Sequence, residues 1–292
     1  MSWRVAEQED FAALRDFLIH EEWRCVGFTS RLRERFTSRW TNTEFYALLI
    51  DENHKAGAPN VRQAVMLGQD GCVIPALDPR RSFDIGRDGR LRLLFRRYRT
   101  RLHSIMGDGK SVLKLETFLE EPPFASVDYH LMTRDFTEDP PVFPQPRPDL
   151  EIRTASPEDT ARLYPLQKGY ELEEVFLDSS RFDERRCRAL LRKNLKKQLV
   201  VAAEKNGVPV AKAGTNARGY RVDQLGGIYT RRDLRNRGIA AYLLEVLLEM
   251  IGQTKRGACL FVKKDNPAAA RLYQKLHFAV WDGFRISYYS RL

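Results

Sequence analysis

The chain has 292 residues, of which 43% are hydrophobic and 11% aromatic, so it can bury a core in one large or two moderate domains. It has no run of about 18 apolar residues and no apolar signal core at its N-terminus, so we expect no membrane span and a cytoplasmic protein. Its four cysteines are scattered without a C-x-x-C pair, which argues against a disulfide framework or a metal site.

The net charge of +10 is concentrated in two basic stretches, Arg80–Arg101 and Arg185–Lys197. Both mix basic with apolar residues, a pattern typical of an element with one face toward a core and a basic face toward water. Such a surface suits an enzyme that attracts an anionic nucleotide. A nucleic-acid-associated protein is an alternative, although no nucleic-acid motif accompanies either stretch.

The clearest boundary is the segment 138–149, because its five prolines forbid a helix and favour an extended spacer. It separates a predicted N-terminal domain at 1–137 from a C-terminal domain at 150–292. The N-terminal pattern predicts, in chain order, a helix at Glu9–Glu21, strands at Phe45–Ile50, Val61–Leu67 and Cys72–Ala76, a segment Leu91–Met106 that begins extended and becomes helical, and strands at Val112–Phe118 and Val127–Leu131. This order is typical of an α/β (α+β) fold.

The C-terminal domain opens with a predicted strand and a capped helix. Ser156 is placed to cap that helix, with Pro157 at its first position and Asp159 three residues after the cap. The further predicted elements are a helix at Asp183–Lys197, strands at Leu199–Ala203, Val208–Gly214 and Leu260–Val262, a helix at Pro267–Leu276, and two closing strands around Ala279–Val280 and Ile286–Tyr289.

The most informative stretch runs from Val222 to Gly252. Its strand is interrupted by Gly226 and Gly227, which indicates a bulge or a close approach by a ligand. An arginine-rich turn follows, and apolar residues at helical spacing from Ala240 predict a long helix. Free N–H groups and the helix dipole at such a helix start suit a phosphate, and arginines add charge to the site. The alternative is a surface turn whose arginines are merely solvated.

Two motifs in this region carry a family resemblance. Arg235-x-x-Gly238-x-Ala240 resembles the R/Q-x-x-G-x-G/A acyl-CoA pyrophosphate loop of GNAT-type N-acetyltransferases. The block from Asn266 through Tyr273 to Phe278 resembles the family's N-x-x-A-x-x-L-Y-x-x-x-G-F signature, with His277 in place of the glycine. The resemblance covers about Leu150 to the C-terminus.

The resemblance implies two GNAT-like lobes if the N-terminal half is a degenerate copy of the same fold. Each lobe would have a mixed, mostly antiparallel central sheet flanked by helices. The N-terminal half has no R-x-x-G-x-G/A loop, so we expect no cofactor there. An unrelated α/β module is the alternative for that half, and in either case it would shape the substrate cleft or mediate dimer contacts.

The resemblance also implies a site for acetyl-CoA, with no metal. Its cofactor-binding positions are Ile228, Tyr229 and Thr230 for the pantetheine arm and the thioester carbonyl, Arg235, Asn236, Arg237, Gly238, Ile239 and Ala240 for the diphosphate, and Asn266 for the arm. Asn266 is also placed to cap the next helix, and both roles are compatible.

The catalytic candidates follow from the chemistry of the reaction. An acetyl thioester is already activated, so the protein has to position the amine, remove its proton and protonate the departing thiolate. The resemblance places the general acid at Tyr273, with a packed aromatic as the alternative. Candidates for the general base are Glu174, Glu173 and Asp223, with Glu174 preferred over Glu173 because it precedes apolar residues. A solvated acidic loop is the alternative for the glutamates.

The predicted function is therefore an N-acetyltransferase. It would transfer the acetyl group of acetyl-CoA to a primary amine of a small molecule or peptide by direct attack in a ternary complex. Its partners would be acetyl-CoA and the amine acceptor, without a membrane or a specific nucleic acid, and a homodimer is one option. A non-catalytic acyl-CoA-binding or sensor protein and a nucleic-acid-associated protein are the alternatives.

Overall fold

The computed structural model describes residues 2–37, 45–55, 58–78, 80, 89–119, 121–175 and 178–289. The chain divides into two compact units. The N-terminal unit comprises Met1–Met132, Phe261–Pro267 and Val280–Arg291, and the C-terminal unit comprises Thr133–Leu260 and Ala268–Ala279. The last strand of the chain therefore contacts mainly residues of the N-terminal half.

The described residues form strands and helices of ordinary length. The strands are β1 (Ser2–Val5), β2 (Phe45–Lys55), β3 (Ala58–Gly68), β4 (Cys72–Ala76), β5 (Ser104–Asp108), β6 (Ala125–Asp135), β7 (Glu151–Thr154), β8 (Val200–Lys205), β9 (Val208–Arg218), β10 (Val222–Thr230), β11 (Gly257–Lys263) and β12 (Ala279–Tyr288). The α-helices are α1 (Phe11–Leu18), α2 (Val26–Thr37), α3 (Gly89–Arg99), α4 (Gly109–Leu119), α5 (Thr160–Tyr170), α6 (Glu184–Lys197), α7 (Ile239–Gly252) and α8 (Pro267–Lys275).

The sheet of the N-terminal unit has the order β1-β2-β3-β4-β5-β12-β6, with β4 and β5 parallel and the neighbouring pairs from β1 to β4 antiparallel. Successive residues of a strand face opposite sides, and β3 shows this alternation. Val65 and Leu67 belong to one hydrophobic cluster, with residues of α3 and α4. Ala64 and Met66 belong to another, with residues of α1 and α2. Helices thus cover both faces of this sheet.

Three predictions for the secondary structure are wrong. Residues 91–106 begin as helix α3 and end as strand β5, the reverse of the predicted order; Phe95 and Tyr98, three apart, form the buried face of that helix. Residues 112–118 are helical, because Val112 and Leu115 are buried while Leu113 is exposed. The two closing strands are one continuous strand, β12. The predicted strands at Val61–Leu67 and Cys72–Ala76 are present within β3 and β4, which pair as an antiparallel hairpin.

The sheet of the C-terminal unit has the order β11-β10-β9-β8-β7, in which only the β10–β11 pair is parallel. Side chains of α5, α6 and β8 form a hydrophobic cluster beside it. The capping box predicted at the start of α5 is present: the Ser156 side chain accepts from the backbone of Asp159, whose carboxylate accepts from the Ser156 N–H. In each unit the strand pairing is therefore mixed and mostly antiparallel, as predicted.

The four cysteines, Cys25, Cys72, Cys187 and Cys259, are buried and free. In the described ranges, no helix has the length and apolarity needed to cross a membrane. The described residues also contain no group of three or more His, Cys, Asp or Glu side chains able to hold a metal ion.

Two neighbouring leucines of α6 test the core of the C-terminal unit, because Leu191 is 2% exposed and Leu190 is 41% exposed. Leu191→Ala should lower the free energy of unfolding by about 2–5 kcal/mol, since it leaves a cavity in the cluster. Leu190→Ala, with the same change in helix propensity, should cost less than about 1 kcal/mol. Urea unfolding followed by circular dichroism measures both. Equal losses would contradict the packing described for α6.

Candidate functional site

The strand β10 is broken where its two adjacent glycines lie. Gly226 pairs with Gly214 of β9, and Tyr229 pairs with Lys212. Between these pairs β10 has two residues, whereas β9 has only Ala213. This is a β-bulge, so the interruption predicted from the sequence is confirmed.

Both glycines are required by their surroundings. A Cβ at Gly226 would collide with the side chain of Asn216, and Gly227 has a φ of +61°, in the left-handed region. The carbonyl oxygen of Gly227 accepts a hydrogen bond of 2.6 Å from the Nζ of Lys212. Past the bulge, Ile228–Thr230 form the end of β10.

Lys212 is a buried cation, only 4% exposed, in the middle of β9. Its ammonium lies 5.0 Å from the centre of the Tyr170 ring, an arrangement that stabilises the positive charge. Burial lowers the pKa of Lys212 to about 8, although Glu171 and Cys187 favour the charged form. This lysine therefore titrates much closer to neutral pH than an exposed one does.

The arginine-rich turn connects the end of β10 to α7. Asn236 and Gly238 have φ values of +60° and +74°, and Gly238 is the N-cap residue of α7, with no side chain capping the helix. The first N–H groups of a helix have no partner within the helix. Left-handed residues in a turn before free N–H donors are a backbone geometry that is suited to binding an anion. Helix α7 begins at Ile239, one residue before the start predicted at Ala240.

Glu173 binds arginine side chains of this turn. It lies in a π-helical turn, Glu171–Val175, that follows α5. Its Oε1 accepts hydrogen bonds from Tyr229 Oη at 2.7 Å and Arg232 Nε at 2.9 Å, and its Oε2 accepts one from Arg235 Nη2 at 2.7 Å. Burial opposes ionisation of Glu173, but these three donors lower its pKa overall.

The contacts of Glu173 favour a structural role for it over proton transfer. A carboxylate with a lowered pKa and three donors is a weak proton acceptor. It also fixes Arg235, which donates in addition to the carbonyl oxygen of Thr230 at 3.1 Å. Of the two adjacent glutamates, Glu174 is therefore the better candidate for the general base.

Tyr273 of α8 is buried, and its surroundings in the C-terminal unit include both Tyr170 and Glu174. Burial is the main cause that raises the pKa of Tyr273, and the nearby Tyr170 and Glu174 raise it further. The hydroxyl is therefore protonated at neutral pH, which a proton donor requires. Its ring also packs edge-on against Phe278, with the ring centres 6.3 Å apart.

Asp223 and Asn266 have contacts that differ from those of Glu173 and Tyr273. Asp223 is buried and pairs with Arg218 at 3.2 Å and Lys255 at 3.4 Å. It precedes Ile228 by five residues, or about 16 Å in an extended strand. These contacts favour a structural role for it. Asn266 belongs to the N-terminal unit, and its N–H donates to the carbonyl oxygen of Lys263 at 3.0 Å.

Two further residues contact this site, and neither was predicted from the sequence. Arg147, from the proline-rich segment, donates from Nη1 to the carbonyl oxygen of Arg237 at 3.0 Å and pairs with Asp149. Lys212 is the other, and it had a signal in the sequence: a lysine within the run Val208–Thr215, which otherwise consists of apolar or small residues. No local pattern indicated Arg147, because its contact joins residues 90 positions apart.

Comparison with known proteins gives one family and a set of solved structures. Residues 161–278 match the family described as the acetyltransferase (GNAT) family. No curated protein sequence matches the chain significantly. A Drosophila protein of known structure is 12% identical, with a TM-score of 0.64 over 98% of each chain.

Two further structures also match over almost the full length. A tandem GNAT protein of the clavulanic acid biosynthesis pathway is 12% identical, with a TM-score of 0.58 over 99% of this chain and 98% of that one. A GCN5-related N-acetyltransferase from Sphaerobacter thermophilus is 17% identical, with a TM-score of 0.58 over 97% of this chain and 93% of that one. At this identity the likeness shows the fold.

The GNAT fold thus extends over nearly the whole chain, consistent with the two predicted lobes. The resemblance inferred from the two motifs is confirmed by the family match. Residues 161–278 are therefore a domain of the GNAT acetyltransferase family.

Proposed function

We propose that the protein is an acetyl-CoA-dependent N-acetyltransferase that acts on a primary amine of a small molecule or peptide. The observation that carries the proposal is the turn before α7, with left-handed Asn236 and Gly238, an uncapped helix start, and Arg235 held by Glu173. Free N–H groups and a fixed guanidinium fit the diphosphate of a nucleotide cofactor. Membership of the GNAT family supports acetyl-CoA as that cofactor.

The broken end of β10 suits the remainder of the cofactor. Within the C-terminal unit, β10 pairs with β11 at Val222–Gln224, while the bulge and the residues after it pair with β9. An amide-bearing pantetheine arm could hydrogen-bond to Ile228–Thr230 as an added strand does. In this arrangement an N–H of that backbone would polarise the thioester carbonyl.

The protein's residues would then complete the transfer. Acetyl-CoA, when bound, supplies an activated acetyl thioester. Glu174 would accept the proton of the amine as its nitrogen forms the new C–N bond. Tyr273 would donate a proton to the thiolate released when the C–S bond breaks. The roles of Glu174 and Tyr273 stay predictions, and so does the contact of Asn266 with the cofactor. The same holds for a homodimer, for the lack of specific nucleic-acid binding, and for the domain boundaries at 137/138 and 149/150.

A matched pair of glycines tests the cofactor site. Gly238 and Gly207 both have a φ of +74°, so alanine imposes about 1–2 kcal/mol of backbone strain at either position. Neither Cβ would clash: the nearest atom to one at Gly238 is Arg147 Nη1 at 3.6 Å, and none lies within 4 Å at Gly207.

Gly238→Ala should weaken CoA binding by at least about tenfold, because the methyl group and the strain fall where the backbone approaches the diphosphate. Gly207→Ala, in the turn between β8 and β9, should bind CoA like the unchanged protein. Isothermal titration calorimetry with CoA measures both. If the unchanged protein takes up no CoA, the proposal is wrong; if both variants bind equally, the site lies elsewhere.

A pair of tyrosines tests the proposed general acid, because Tyr273 and Tyr164 are each 8% exposed in the C-terminal unit. Tyr273→Phe should lower kcat about tenfold to a hundredfold with little change in the KM for acetyl-CoA, since the loss concerns the departing thiolate. Tyr164→Phe should leave kcat within about twofold. The assay is CoA release with a panel of amines and peptides. Unchanged kcat in Tyr273→Phe would remove its catalytic role, and CoA binding without any transfer would favour an acyl-CoA sensor.

A further inference from the structure

The proposed proton transfers and cofactor contacts leave one buried cation near the bulge, Lys212, without a role. Lys212 lies on β9, and its ammonium donates to the carbonyl oxygen of Gly227 at 2.6 Å. We infer that Lys212 is a positioning residue, whose ammonium fixes the Gly227–Ile228 peptide so that the Ile228 N–H faces the thioester carbonyl. The inference rests on the proposed function for its catalytic part, but not for its geometry.

The direction of the Ile228 N–H follows from the planar peptide. No cis peptide bond occurs in the described residues, so the Gly227 C=O and the Ile228 N–H point in opposite directions. The oxygen points to Lys212, and the N–H therefore points away from it. Without the lysine, the left-handed Gly227, which has no Cβ, could rotate this peptide at little energetic cost.

The charge of Lys212 has a second effect on the same peptide. A hydrogen bond from an ammonium is stronger than one from a neutral donor, and hydrogen bonds in series polarise one another. A protonated Lys212 thus makes the Ile228 N–H a better donor to a developing oxyanion. The groups facing the ammonium are Tyr170 from α5, Glu171 from the π-helical turn and Cys187 from α6. With a pKa of about 8, Lys212 loses this charge as the pH rises through that value.

The sequence permits a direct measurement of this peptide. It contains two Gly–Ile bonds, Gly227–Ile228 and Gly238–Ile239. Protein labelled with carbonyl-¹³C glycine and ¹⁵N isoleucine therefore gives two carbonyl–nitrogen NMR correlations, and Ile239→Val assigns them. The Gly227–Ile228 signal should shift with a midpoint near pH 8, and the Gly238–Ile239 signal should not show this midpoint. The shift should disappear in Lys212→Met.

This measurement needs neither CoA nor activity, so it separates the inference from the proposed function. Glu171→Gln should move the midpoint to lower pH, because it removes a negative charge that favours protonated Lys212. A Gly227–Ile228 signal that stays constant across the titration in the unchanged protein overturns the inference. That result remains decisive even if Lys212→Met fails to fold.

The kinetic arm tests the catalytic consequence. Lys212→Met should lower kcat about tenfold to a hundredfold, less than the roughly 10²–10³-fold lost when an oxyanion donor is removed outright, with the KM for acetyl-CoA changed less than about threefold. Lys168→Met is the matched control, because Lys168 also lies over an aromatic ring, that of Phe182 at 5.6 Å, but is exposed on α5. It should leave kcat within about twofold. A raised KM with unchanged kcat, or equal effects of both variants, would overturn the positioning role.

Discussion

One hydrogen bond, from the Lys212 ammonium to the Gly227 carbonyl oxygen, joins the broken strand β10 to a buried cation on β9. Gly227 has no pairing partner on β9, and its partly buried carbonyl accepts from this other donor instead. Here the donor is a cation, which itself requires compensation, and the ring of Tyr170 and the carboxylate of Glu171 provide it. The bulge, the buried lysine and the end of α5 are therefore joined by direct contacts of one ammonium group.

The π-helical turn after α5 gives each of three acidic residues a different environment. Glu171 is buried near Lys212, Glu173 binds Tyr229 and two arginines, and Glu174 lies near Tyr273. A π turn places side chains differently from an α-helix, so the identity of the residue that faces each partner depends on where the helix widens. The contact of Glu173 with Arg235 also couples this turn to the anion-binding loop. Under the proposed function, positioning of the cofactor and of the candidate base would therefore depend on the same short segment.

Much of this organisation could be predicted from local signals. The capping box at Ser156, the helix after Gly238 and the glycine break in β10 depend on residues close together in the chain, and each is present. The order of α3 and β5 was missed because arginines alternate with apolar residues there in a way that fits two periodicities. The roles of Lys212 and Arg147 depend on contacts across 15 and 90 positions, which no local pattern encodes. The position of β12 in the N-terminal unit is long-range in the same way.

The energetics of Lys212 argue that stability alone does not account for it. Removing a cation from water costs several kcal/mol even after relaxation, whereas a hydrogen bond to a charged group returns about 1.5–3 kcal/mol. A methionine would fill a similar volume without that penalty, and a plain strand would not need a donor at Gly227. Proteins depart from such local rules mainly at functional sites. The break in the β10 ladder and the buried Lys212 are two such departures, and they meet at the Gly227 carbonyl oxygen. Both are explained if the Gly227–Ile228 peptide has to keep a fixed direction.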